Sequence, residues 1–149
     1  MKKLLLISAL LATFGVAQAT DVGITAGRDY ATPHSNDYGI SIGQQFGKYS
    51  VSGEVESVKH VGLKEVRYEL LGGYDLYSFK GNTLTAKAGG AYIKDEGVKS
   101  GYAGVAGLGL TVPVAKNVAL TADYRYQQTQ KRIDTYTGNS VTAGIKISF

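Results

Sequence analysis

The sequence predicts an all-β fold, an eight-stranded antiparallel up-and-down transmembrane β-barrel that follows a signal peptide. From residue 21 onward, apolar residues alternate with small or polar ones, and this period of two is the spacing of side chains along a strand. Turn-forming residues divide that region into eight stretches of roughly 9 to 11 residues, the length of a tilted strand that crosses a bilayer. Aromatic residues gather near the ends of these stretches.

The amino terminus has the pattern of a secretory signal peptide. Two lysines follow Met1, an apolar run extends from Leu4 to Val16, and the small-x-small segment Ala17–Ala19 is a cleavage signature. The apolar run is shorter than the roughly 20 residues that a membrane-spanning helix requires. We therefore predict that residues 1–19 are removed and that residues 20–149 form the barrel.

The alternation defines the eight strands in order. In the first strand, Val22 and Ile24 lie on one face and Thr25 lies on the other, and the later strands repeat this division into an apolar face and a face of small or polar residues. The predicted strands run from Asp21 to Tyr30, Tyr38 to Phe46, Tyr49 to Val58, Arg67 to Leu76, Thr83 to Tyr92, Tyr102 to Val112, Val118 to Gln127 and Val141 to Phe149.

Two kinds of connection join these strands. Tight turns are predicted near residues 48, 80 and 115, the last of them from Pro113 to Asn117. Longer loops are predicted near residues 34, 62, 97 and 134, the first from Thr32 to Asp37 and the second from Lys59 to Glu65. Short turns at one end of a barrel and longer loops at the other are typical of membrane barrels. We call these ends the turn side and the loop side.

Composition excludes some classes of function. The chain carries 16 basic and 12 acidic residues, and removal of the two signal-peptide lysines lowers its formal net charge from +4 to +2. No dense basic patch or base-stacking motif remains, so nucleic-acid binding is not predicted. Cysteine is absent, so disulfides do not contribute to stability.

The apolar face is predicted to meet lipid and the polar face to line the lumen. The polar face consists mostly of Gly, Thr and Ser, which suit a narrow interior, whereas a water-exposed sheet usually carries dense Lys and Glu. Aromatic residues of the apolar face form two girdles that mark the two lipid–water interfaces. The loop-side girdle comprises Tyr30, Tyr38, Tyr68, Tyr92, Tyr102 and Tyr126, and the turn-side girdle comprises Phe46, Tyr49, Tyr74 and Phe149.

Charged residues on the polar face are predicted to pair inside the lumen. An eight-stranded barrel is narrow enough for side chains to fill, and a buried charge without a partner costs several kcal/mol. We therefore predict a plug of salt bridges, with a gated proton or ion path as the alternative. The predicted lumen charge network comprises Glu54, Glu56, Arg67, Glu69, Asp75, Lys87, Asp123, Arg125 and Lys146.

The last strand ends at Phe149, with apolar residues at every second position before it. This pattern resembles the C-terminal sorting signal that the outer-membrane barrel assembly machinery recognises. With its strands, girdles and polar lumen, the region from Asp21 to Phe149 resembles the small eight-stranded outer-membrane barrel superfamily, which includes the transmembrane domain of outer-membrane protein A, outer-membrane protein X and the opacity-type proteins. The resemblance implies a location in the Gram-negative outer membrane. The resemblance does not extend to a C-terminal peptidoglycan-binding domain, so a tether to the cell wall is not expected. The loops are also short for the family.

Basic residues near the loops form a predicted outer rim. The headgroup phosphates of lipopolysaccharide lie at that level of the membrane, and lipopolysaccharide and outer-membrane lipid are the predicted partners. The alternative partner is an extracellular polyanion. The rim comprises Arg28, Lys59, Lys64, Lys94, Lys99, Lys131 and Arg132.

Catalysis and metal binding are not predicted. Some enzymes that modify lipid A share the architecture that the resemblance implies, and they use His and Ser side chains. The histidines here are His34, beside Ser35, and His60, and adjacency on a loop does not place a base within reach of a nucleophile. The segment Asp95–Gly97 lacks the ligand spacing of a calcium loop, and no cofactor is predicted.

These observations predict a non-enzymatic outer-membrane barrel with a plugged polar lumen that contributes to envelope integrity or surface interaction. A narrow porin-like channel for ions or small solutes is the alternative, and a lipid A-modifying enzyme is less favoured.

Overall fold

A computed structural model describes residues 20–31, 34–60, 63–95, 100–130 and 136–149. The described residues form a closed antiparallel barrel in which each strand pairs with its neighbours in sequence and the last strand pairs with the first, which confirms the predicted fold class. The predicted signal peptide lies outside the described residues. The strands are β1 (Thr20–Asp29), β2 (Ser35–Phe46), β3 (Tyr49–His60), β4 (Leu63–Phe79), β5 (Asn82–Asp95), β6 (Gly101–Ala115), β7 (Val118–Thr129) and β8 (Gly138–Ser148).

Pairing of β8 with β1 closes the barrel. The register runs from Asp21 opposite Ser148 to Asp29 opposite Ser140, and the Phe149 amide donates a further hydrogen bond to the Thr20 carbonyl at 3.0 Å. Closure leaves no strand edge unpaired, and hydrocarbon could not satisfy such an edge. Within the described part of the chain, no helix has the length and apolar character needed to span a membrane.

Several strands extend further than predicted. β2 begins at Ser35, inside the predicted first loop, so that loop is shorter than expected. The second loop was predicted to span Lys59 to Glu65, but β3 continues to His60 and β4 begins at Leu63, so strands cover both ends of that range. The prediction was wrong because backbone ladder hydrogen bonds continue into polar residues as readily as into apolar ones.

Residues with positive φ angles and a β-bulge account for the conformation of the turns at the turn side of the barrel. Lys80 and Gly81 have φ of 50° and 85°, the pair of positive angles that a type I′ hairpin turn requires, and Gly47 has φ of 63°. The predicted turn from Pro113 to Asn117 begins later, because β6 continues to Ala115 through a register shift at Pro113. Proline is tolerated in a strand at such a bulge, since its missing N–H falls where the ladder is interrupted.

The two faces of the sheet differ as the alternation predicts. On the outer face Ile24, Ile40 and Leu70 are each 60–66% exposed. On the inner face, polar side chains such as Thr25 and Glu54 are buried. An apolar cluster on the loop side of the lumen packs against β4, β5 and β6. It includes the side chain of one residue from the loop between β7 and β8. The cluster comprises Leu71, Ala91, Ile93, Ala103, Val105 and Tyr136.

Candidate functional site

A guanidinium group bridges the lumen from β7 to β3 and β4. Arg125 Nη2 donates to Glu54 Oε2 at 2.6 Å, while Nη1 donates to Glu56 Oε1 at 2.9 Å and to Glu69 Oε2 at 3.0 Å. All four side chains are buried. One carboxylate oxygen from each glutamate lies within 4.8 Å of the others, close enough to surround a cation, and the cation they contact is Arg125.

A glycine gives these long side chains room. A Cβ at Gly39 would lie 2.6 Å from Thr25 Oγ1 and 3.0 Å from Glu54 Oε1, so only a glycine leaves space there. Thr25 Oγ1 uses this space to donate to Glu54 Oε1 at 3.1 Å. Small residues of the polar face therefore determine which charged side chains can meet across the barrel.

A second guanidinium lies nearer the loop side. Arg67 donates from Nε to Glu65 Oε1, two residues earlier on β4, and from Nη2 to Asp29 Oδ2 on β1. All three side chains are buried. Asp29 Oδ1 also accepts a hydrogen bond from the Ala31 amide at 2.7 Å, which connects this group to the start of the first loop.

Two lysine pairs lie nearer the turn side. Lys87 Nζ contacts Asp123 Oδ1, and the absence of a Cβ at Gly109 between them makes this possible, since a Cβ there would lie 2.6 Å from Asp123 Oδ1. Lys146 Nζ contacts Asp21 Oδ2 at 3.0 Å. The lysine side chains are 25% and 30% exposed, and both line a polar cavity of about 100 Å³.

Eight of the nine predicted lumen residues thus form ion pairs, in four separate groups among the described residues. The ninth, Asp75, accepts hydrogen bonds from Gln45 Nε2 at 2.9 Å and Thr85 Oγ1 at 2.8 Å, and these partners are neutral. Sequence reasoning missed three of the partners, Asp21, Asp29 and Glu65. Each lies near the end of its strand and continues the inward alternation, Asp21 and Asp29 with Gly27 on β1 and Glu65 with Arg67 on β4.

The predicted rim is partly described. Arg28 and Lys94 lie on β1 and β5, and the Arg28 guanidinium carbon lies 5.9 Å from the centroid of the Tyr30 ring. Lys59 and Lys64 were predicted in a loop, but they pair with each other in the register of β3 and β4. Of Lys64 only the backbone is described, and Lys99, Lys131 and Arg132 lie outside the described residues.

Exposed aromatic side chains occupy both ends of the outer face. The rings of Tyr92 and Tyr102 lie 5.3 Å apart on the loop side, and those of Tyr49 and Tyr74 lie 5.1 Å apart on the turn side. Of the ten residues predicted for the girdles, nine are exposed and Phe46 is half-buried.

Sequence reasoning missed two aromatic residues on the turn side. A register shift between Asp75 and Tyr77 changes the alternation of β4. Both Tyr77 and Phe79 are therefore exposed, at 63% and 54%. Tyr124, further along the outer face of β7, is also exposed and was not assigned to a girdle.

The first loop contains no base–nucleophile pair among the described residues. His34 Nδ1 lies 3.4 Å from the Ala31 carbonyl oxygen, and its ring packs edge-on against Tyr30 with centroids 5.8 Å apart. The adjacent Ser35 is buried and its Oγ has no hydrogen-bond partner. The His60 side chain is outside the described residues.

Known proteins share this architecture. The N-terminal β-barrel domain of Pseudomonas aeruginosa OprF aligns with a TM-score of 0.74 at 16% identity, covering 89% of this chain and 98% of that one. Neisserial surface protein A aligns with a TM-score of 0.71 at 15% identity, covering 88% and 96%. Yersinia pestis Ail, in complex with the heparin analogue sucrose octasulfate, aligns with a TM-score of 0.53 at 14% identity, covering 89% and 97%.

The outer membrane enzyme PagL also shares the fold, with a TM-score of 0.53 at 9% identity over 87% of this chain and 98% of that one. Comparison with curated protein sequences gave no match. The family model of the OmpA-like transmembrane domain matches residues 16–149. The closed eight-stranded barrel and this match together establish that the chain belongs to the family of OmpA-like transmembrane domains, in the outer membrane.

Proposed function

We propose that this protein is a non-enzymatic outer-membrane barrel with a plugged lumen, and that it contributes to envelope integrity or surface interaction. The observation that carries the proposal is the contact of Arg125 with three glutamates on the opposite wall. Each buried carboxylate would be left without a partner if the guanidinium moved away, at a cost of several kcal/mol. The group therefore resists opening.

The loop side adds a second obstruction. The apolar cluster brings Tyr136 from the last loop against the inner wall of β4 to β6, and Gln127 Nε2 donates to the Tyr136 carbonyl at 3.0 Å. The polar cavity of about 100 Å³ has Arg125 and Glu54 among its lining residues, so the buried ion-pair group forms part of its wall. A narrow ion pore remains the alternative function.

Planar-bilayer recordings test the plug. We expect the folded protein to give no stable openings above the baseline of protein-free bilayers in molar KCl, because the Arg125 group closes the path. The N-terminal barrel domain of OprF, reconstituted in the same way, is the comparison for insertion and orientation. Reproducible, long-lived openings from the wild-type protein would reject the plugged lumen and favour the pore.

The outer rim supports a surface interaction with anionic headgroups or polymers. Arg28, Lys59 and Lys94 lie at the loop-side ends of their strands, and Asn36 pairs with both Arg28 and Lys59 in the register of the sheet. Positive charge at the membrane surface attracts anionic phosphates. The heparin-analogue complex of Ail indicates that a barrel of this fold can carry a polyanion site. We propose lipopolysaccharide phosphate as the partner, with an extracellular polyanion as the alternative.

Neutralising the rim should weaken polyanion binding. We expect the triple variant Arg28→Gln, Lys59→Gln, Lys94→Gln to bind lipopolysaccharide with an affinity lower on the order of a hundredfold, since each of the three basic groups near an anionic surface contributes about 1 kcal/mol. Titration in detergent micelles at low salt measures this.

The matched control removes the same charge from the turn side, where Lys48, Lys80 and Lys116 lie in the three turns. Their replacement by glutamine should leave the affinity unchanged, and an equal loss in both triple variants would refute a rim site. Titration with heparin alongside lipopolysaccharide distinguishes the two partners.

Catalysis is not part of the proposal. The fold alone does not decide this point, because PagL is an enzyme with the same architecture. The argument against catalysis rests on the first loop, where His34 is exposed and contacts Tyr30 and Ala31 while the neighbouring Ser35 is buried. For export, we propose that residues 1–19 are a cleaved signal and that Phe149, exposed at the end of β8, is read by the barrel assembly machinery.

A further inference from the structure

Asp37 is a buried carboxylate without a partner among the described residues. Its side chain lies on the inner face of β2 near the loop side, it is 1% exposed, and neither Oδ1 nor Oδ2 accepts a hydrogen bond. An ionised carboxylate in this situation costs several kcal/mol unless a cation or donors compensate it. A group of this kind in a folded protein requires an explanation such as a bound ion.

The neighbouring charged groups form no direct ion pair with Asp37 among the described residues. The charged groups that act on Asp37 are Arg67, Arg125, Asp29 and Glu54. Both guanidinium groups already contact other carboxylates, and the two acids add negative charge. The loop half of the lumen therefore holds an excess of acids over bases among the described residues, with two arginines facing Asp29, Asp37, Glu54, Glu56, Glu65 and Glu69.

Two hydroxyl groups beside Asp37 are also buried without a hydrogen-bond partner, Ser35 Oγ and Thr142 Oγ1. Ser35 precedes Asp37 by two residues and shares its inward face. Gly27 pairs with Asp37 on one side and with Thr142 on the other. A Cβ at Gly27 would lie 2.7 Å from Asp37 Oδ1 and 2.6 Å from Thr142 Cγ2, so the glycine leaves a space between the Asp37 carboxylate and the Thr142 methyl group across β1. Rotation of the Thr142 side chain to another staggered rotamer would place Oγ1 in that space.

We propose that Asp37, Ser35 and Thr142 bind a hard divalent cation, Ca²⁺ or Mg²⁺, inside the loop-side mouth of the barrel. Carboxylate and hydroxyl oxygens are the ligands that such cations take, and water completes their coordination. The cation supplies a direct contact with positive charge, which no arginine among the described residues makes with Asp37. Its ligands come from β2 and β8, which flank β1. The cation therefore stabilises the part of the sheet where β8 pairs with β1 and closes the barrel.

The test uses the folded protein in detergent micelles free of lipopolysaccharide, refolded either with Ca²⁺ or Mg²⁺ or with EDTA. We expect one divalent cation per chain in equilibrium dialysis, and an unfolding midpoint in urea that rises with the cation concentration. In EDTA, Asp37→Asn should be more stable than the wild type, because it removes an uncompensated buried charge. In saturating cation the order should reverse, since only the wild type gains from binding.

Two further variants keep the proposal falsifiable. Thr142→Val preserves the shape of the side chain and removes one ligand oxygen, and we expect binding about tenfold weaker. Asp75→Asn makes the same chemical change as Asp37→Asn on the turn side and should bind like the wild type. The proposal is overturned if the wild type binds no divalent cation. It is also overturned if low pH stabilises the wild type and divalent cations do not. Equal cation binding by wild type and Asp37→Asn also overturns it.

Discussion

Replacing Arg125 by methionine is expected to destabilise the barrel by about 3–5 kcal/mol, the cost of removing one partner from a buried ion pair. Methionine keeps much of the length and packing of the side chain, so the loss measures charge rather than volume. Glu54, Glu56 and Glu69, which each bring one carboxylate oxygen within 4.8 Å of the others, would lose the guanidinium that they contact. Urea titration in detergent micelles, with heat-modifiable gel migration as the test of folding, measures the free energy of unfolding.

A compensated variant separates charge from packing. Adding Glu54→Gln, Glu56→Gln and Glu69→Gln to Arg125→Met removes the whole group, and we expect stability to return to within about 1–2 kcal/mol of the wild type. Lys146→Met is the matched control for loss of a lumen cation, because Lys146 and Asp21 are partly exposed and such pairs contribute only about 0–1 kcal/mol. Equal effects of Arg125→Met and Lys146→Met would contradict the assigned role of Arg125.

Placing an arginine at Ile24 is expected to cost about 2–4 kcal/mol when the protein is folded in lipid vesicles. Ile24 is 66% exposed on the outer face, near the middle of β1, and it pairs with Ile40 and Ile145. At that height a charged side chain meets hydrocarbon rather than water. In a water-soluble barrel the same substitution at an exposed position would change stability by at most about 0.5 kcal/mol.

Val114→Arg is the depth control. Val114 is 56% exposed and lies close to the turn that joins β6 and β7. An arginine near the interface reaches the headgroups, so the expected cost is only about 0–1 kcal/mol. Urea unfolding in vesicles should therefore separate the two variants. If Ile24→Arg is as stable as Val114→Arg, Ile24 does not face the hydrocarbon.

The alternation of residues along a strand predicts which face a charged side chain lies on, but not which other charged side chain it contacts. Alternation placed Glu54, Arg67 and Arg125 on the inner face, but it contains no information about which of them meet. Arg125 on β7 contacts β3 and β4, whose positions relative to it depend on closure of the barrel and on the stagger of every intervening strand. The same geometry brings Asp29 on β1 to Arg67 on β4.

Local backbone irregularity limits sequence reasoning in another way. The register shift after Asp75 changes the alternation of β4, so Tyr77 and Phe79 join the exposed aromatic residues of the turn side. A bulge depends on the fit between two paired strands, and the sequence of one strand does not specify it. The second predicted loop is a similar case, since ladder pairing extends β3 to His60 and begins β4 at Leu63, through residues that look like a loop.

The sequence by itself determined the number of strands, their order and the face on which most side chains lie, because these follow from a period of two and from turn residues that act locally. Only the tertiary structure decided the partners of the lumen charges and the isolation of Asp37 beside Ser35 and Thr142. The physical reason is that a lumen contact joins residues from different strands. Their distance is set by the circumference and stagger of the closed sheet, which no single segment encodes.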